Sequence, residues 1–125
     1  MEEALRALIK TIVPSTVSVD WGARPRGAPL PGIVLMVVSD RAAVRAHDGP
    51  SALSEARVQV DLYADTYGQA KTLARTLRAA LDGYKSPTLG PVFLDLQRDF
   101  TEAGDAPDAR IYRAMTDLKV WYSRA

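Results

Sequence analysis

Cysteine is absent from the 125 residues. Disulfides, thiolate nucleophiles and zinc sites of the usual cysteine and histidine composition are therefore excluded, and the composition fits a reducing cytosol. Histidine is nearly absent too. The one example, His47, stands in the turn-forming run HDGPSALS without a second histidine to share a metal or a nucleophile to activate, so a solvated loop position is the simpler reading. Net charge is small: sixteen Lys and Arg against fifteen Asp and Glu leave +1, so no global field gathers nucleic acid or an anionic membrane. The longest apolar run, Ile33 to Val38, falls far short of the roughly 20 residues a membrane-spanning helix needs. Glu2 and Glu3 stand where a signal peptide would be basic. These absences describe a soluble protein with no membrane partner and no resident cofactor.

What is present is ordinary globular composition, 47% hydrophobic and 25% charged, at a length typical of one domain, here residues 1–125. Leu5, Leu8, Ile9 and Ile12 recur at helical spacing, and Pro14 ends a first helix from Glu2 to about Ile12. Val17, Val19 and Trp21 alternate with polar residues as a strand does. GARPRGAPLPG, Gly22 to Gly32, is a loop. Ile33 to Ser39 is continuously apolar and β-branched, the pattern of a central strand covered on both faces, and Asp40 to Ala46 extends it. After the turn at His47 to Ser54, Arg57 to Ala64 alternates with Val58, Val60, Leu62 and Ala64 on one face. Thr66 and Gln69 form a capping box before a helix over Tyr67 to Asp82, with the stripe Ala70, Leu73, Ala74, Leu77, Ala80 and Leu81 and a left-handed stop at Gly83. Val92, Leu94 and Leu96 mark the inner face of a further strand. TEAGDAPDA reads as a hairpin loop, and Ala109 to Ser123 as a long final strand. The order α-β-β-β-α-β-β predicts an α+β fold, a mostly antiparallel sheet backed by two helices on one face.

Candidate chemistry is sparse. Asp61, Asp95, Asp99 and Asp117 share the polar parity of their strands, which would suit a small acid-base or metal-dependent hydrolase using Asp61 and Asp95. Arg57, Arg113 and Lys119 share that parity, so cross-strand ion pairing is the simpler account. The glycine- and proline-rich loop lacks phosphate-loop spacing, and Arg24 and Arg26 in it are a weak signal for nucleic acid. A nucleic-acid or small-ligand module remains the alternative function. More informative is the outward parity, where Tyr63, Phe93, Met115 and Trp121 stand among the charges and suggest a face that a partner covers.

Taken together, GAPLPGIVLMVVS, HDGPSALSEARVQVDLYADTYGQAKTLARTLRAALDGY and the closing RIYRAMTDLKVWY resemble the tail-completion, or tail-terminator, proteins of long-tailed bacteriophages and prophages, over nearly the whole chain. The block from Asp48 to Tyr84 carries most of the likeness. The resemblance implies a non-enzymatic subunit of the tail and neck of a virion or phage-like particle, assembled in the bacterial cytoplasm. It would close the tail tube as a homo-oligomeric ring, six copies matching the usual symmetry. The implied partners are further copies of itself, the major tail tube protein and head-connector or neck proteins, with no direct DNA contact. Interface residues expected on these grounds are Arg24, Arg26 and His47 in the loops and Tyr63, Met115 and Trp121 on the sheet.

Overall fold

The computed structural model describes residues 1–23, 30–42, 45–46, 49–50, 53–86, 89–103 and 110–123. Helix α1 spans Glu2–Ile12 and ends where the backbone turns extended at Val13, just before Pro14. Strands β1 (Ser18–Trp21) and β2 (Gly32–Ala42) follow, then the two-residue ribbon of β3 (Arg45–Ala46) and β4 (Gly49–Pro50). Strand β5 is Leu53–Ala64, helix α2 is Tyr67–Leu81, and strands β6 (Leu89–Ala103) and β7 (Arg110–Ser123) complete the order. With the ribbon set aside, the succession is α-β-β-β-α-β-β and the fold is α+β.

The five long strands make one mixed sheet in the order β1-β2-β5-β7-β6. Only the edge pair β1–β2 is parallel; every other neighbouring pair is antiparallel. Strand β7 thus lies between β5 and β6, and α2 carries the chain over it from one to the other. Both helices contribute to a single core with the sheet: Leu5 and Ile9 of α1 and Ala70, Leu73, Ala74, Leu77 and Leu81 of α2 pack with Ile33, Leu35, Val58, Val60, Leu62, Leu118 and Val120. The apolar periodicity explains this placement, since burying one helical stripe against one strand parity removes most of the apolar surface from water. Thr66 accepts a hydrogen bond from the Gln69 backbone N–H at 3.1 Å, opening α2, and Gly83 takes the left-handed φ of +81° just beyond it. Ala80, expected in the buried stripe, is exposed, because the stripe drifts around the helix and Leu81 takes the core position.

Ladder pairing and two register slips correct the strand readings. Ladder partners on β7 let β6 begin at Leu89 and continue to Ala103, so Thr101 to Ala103 of the expected hairpin loop are strand. Leu53 to Ala56 likewise pair with Val120 to Ser123, starting β5 before Arg57. In β6 the register slips between Leu94 and Leu96: Leu94 faces Leu118, whereas Leu96 faces Asp117. One extra residue, Asp95, reverses the parity beyond it. Leu96 therefore leaves the core side, and Asp99 moves onto it, where the Lys71 ammonium of α2 donates to its carboxylate at 2.9 Å. In β2 a slip between Val37 and Ser39 does the same to Asp40, whose carboxylate accepts from the Tyr122 hydroxyl. Nor is β2 covered on both faces along its apolar run, since Met36 and Val38 are exposed.

Candidate functional site

The helices pack on one parity of the sheet, and the other parity carries the residues of interest. Backbone register arranges this outer face in rows. Tyr63 lies between Gly32 and Arg113 with Phe100 beyond; Asp61 lies between Val34 and Met115 with Arg98 beyond. Gln59 lies between Met36 and Asp117 with Leu96 beyond, Arg57 is beside Lys119 with Phe93 beyond, and Glu55 faces Trp121.

The charges on this face are largely paired. Arg57 donates through Nη1 to Asp95 Oδ2 at 2.6 Å. That hydrogen bond is the main reason the Asp95 carboxyl titrates below the usual aspartate range and the Arg57 guanidinium above its ordinary value. Asp61, only 8% exposed, accepts from Arg113 Nε at 3.1 Å and from Gln59 Nε2 at 2.9 Å. Burying a carboxylate in this way is tolerable because both its oxygens are bonded. The Arg113 guanidinium also stands 4.9 Å from the centre of the Phe100 ring, within cation–π range.

Between these pairs the face is apolar and uncovered. Met36 (46% exposed), Val38, Phe93 (47% exposed), Leu96 and Phe100 all stand out from it. Tyr63, Met115 and Trp121 are half-buried on the same face. Tyr63 and Met115 occupy adjacent rows of neighbouring strands. Trp121 is six residues from Met115 along β7, about 20 Å away at the usual strand rise. The three share a face without forming one cluster. Arg24, Arg26 and His47 lie outside the described residues. Strict alternation had hidden Leu96 and Phe100, because only the Asp95 bulge brings them outward.

Asp95 is hydrogen-bonded to Arg57, which favours its charged form, and Asp61 is held by bonds to Arg113 and Gln59. Among the described residues no group of three or more His, Cys, Asp or Glu side chains could hold a metal ion, and no helix is long and apolar enough to cross a membrane. What the arrangement offers is a broad surface of aromatic and aliphatic side chains interleaved with pre-formed ion pairs, the composition of a protein-binding face.

A family model described as tail completion protein gp17 matches residues 2–123. No curated protein matches the chain. Among solved structures, one similar chain comes from the virion of a native gene transfer agent particle, at 19% identity and a TM-score of 0.50, with 92% of this chain and 85% of that chain covered. The structural likeness bears on the fold alone.

Proposed function

Because the chain belongs to the tail completion protein gp17 family, and so has a structural role in the tail of a phage or phage-like particle, we propose that it closes the end of the tail tube and presents the surface on which the head is joined. It does so as a ring of identical subunits, six in number, set between the major tail tube protein and the head-connector or neck proteins after assembly in the bacterial cytoplasm. The observation that carries this reading is the outer sheet face, where Met36, Val38, Phe93, Leu96 and Phe100 stay uncovered beside paired charges. A surface on which exposed apolar side chains are interleaved with paired charges has the composition of a contact site, and it needs no catalytic centre. A head-to-tail ring uses two different patches on each subunit. Tyr63 and Met115 lie in one such patch with Trp121 at its far end, and Arg24, Arg26 and His47 act as loop contacts to the neighbouring proteins.

Electron microscopy of particles produced without this gene tests the reading: headless tails of abnormal length are expected, and complete particles would refute it. A gel shift at low salt, where nonspecific phosphate contacts are strongest, is expected to show no DNA binding. A shift there would favour a nucleic-acid module instead.

A further inference from the structure

Strand β6 is an edge of the sheet, and among the described residues it is paired only with β7 over its fifteen residues. Its first part is interrupted by the slips before Val92 and at Asp95, but from Leu96 to Ala103 the register is regular. A long, regular edge with exposed apolar side chains is a template for another strand. From these features we infer that two copies of this chain pair β6 to β6, antiparallel, about a two-fold axis through Phe100.

Residues directly opposite each other in an antiparallel pair share a sheet face, so a two-fold axis must pass through a residue. An axis at Gln97 places the Asp95 bulge in the ladder. Axes at Arg98 or Asp99 set identical charges opposite each other, which is destabilising. The axis at Phe100 removes both conflicts. Phe100 meets Phe100, Asp99 faces Thr101, whose hydroxyl donates to the carboxylate, and Arg98 stands opposite position 102, a glutamate. The run Arg98-Asp99-Phe100-Thr101-Glu102 is thus self-complementary in charge and hydrogen bonding when read outward from its centre. Arg98 is exposed and makes no ion pair among the described residues, so it is available to the partner's acid. The Phe100 ring is held by Arg113, itself fixed by Asp61, and this preorganisation lowers the ordering cost of association.

A two-fold contact closes on itself and builds no ring. This pairing is therefore distinct from the ring contact proposed above and covers the β6 edge in the unassembled chain. A strand-edge contact is smaller than the roughly 1,600 Å² of a standard interface, so association is about micromolar or weaker.

The chain has no cysteine, which makes the trap specific. Across the axis the Cα atoms of residue 100 lie about 4.5–5.5 Å apart, inside the about 4.4–6.8 Å that a disulfide spans. Full-length Phe100→Cys should oxidise to a covalent dimer at least tenfold faster than Val38→Cys, another exposed position of the outer face. By sedimentation, Arg98→Glu should raise the dissociation constant of the cysteine-free dimer at least tenfold, and Arg98→Glu combined with Glu102→Arg should restore it. Cross-linking no faster than Val38→Cys, wild-type dimerisation by Arg98→Glu, or a wild-type chain that stays monomeric at every concentration would each overturn the pairing. None of these outcomes bears on the particle phenotype that tests the ring.

Discussion

Gly90 faces the backbone of Trp121 so closely that an added Cβ would lie 2.7 Å from the Trp121 carbonyl oxygen. A backbone atom in the middle of a ladder cannot retreat as a flexible side chain would. Gly90→Ala should therefore destabilise the chain by about 1–3 kcal/mol, the range for overpacking, read as a lower urea midpoint. The Arg57–Asp95 pair makes a different claim. The folded state lowers the Asp95 pKa through the Arg57 hydrogen bond, so its stabilisation is present above the ordinary aspartate pKa and is lost as pH falls through the lowered value. Asp95→Asn should unfold at lower urea than wild type at neutral pH and match it in strong acid. The pair is solvent-exposed, so high salt should shrink the neutral-pH difference. Equal midpoints at neutral pH and low salt would show that the pair contributes nothing.

Helix α2 buries Ala70, Leu73, Ala74, Leu77 and Leu81 against the sheet, so Leu77→Ala should cost about 2–5 kcal/mol. Removing the hydroxyl that opens the helix, in Thr66→Ala, should cost about 1 kcal/mol. An unchanged melting temperature for Leu77→Ala would place the stripe in water. This helix was legible in the sequence because every signal that makes it is local: a cap, a stripe of period near four and a glycine stop. Strand β5 was legible for the same reason, its alternation running unbroken from Arg57 to Ala64. Strand β6 was not. Its parity depends on where β7 slips past it at Asp95, a property of two strands that neither segment reveals alone. The contacts of Asp99 and Asp40 with Lys71 and Tyr122 were invisible for that reason, as was the exposure of Leu96 and Phe100.

At the scale of the molecule, the α+β class and the presence of apolar residues on the outer face followed from composition and alternation. The parallel pairing of β1 with β2 did not, since it depends on how the chain of residues 22–31 returns. If the outer face makes the ring contact, Met115→Glu should fold, by circular dichroism, yet fail to restore head joining when added to tails lacking the protein. Full rescue would move the contact elsewhere. The strand order also bears on how the chain is made. Strand β7 fills the gap between β5 and β6 but is the last of the strands to leave the ribosome. Until it emerges, β5 has no neighbour on one side and β6 has none at all, and translation at about 5–20 residues per second leaves those backbones waiting. The sheet cannot close progressively behind the ribosome. It must be completed in one step by its final strand, so a released chain truncated before Arg110 should remain sensitive to protease across β5 and β6, whereas the chain that includes β7 should be protected at both together.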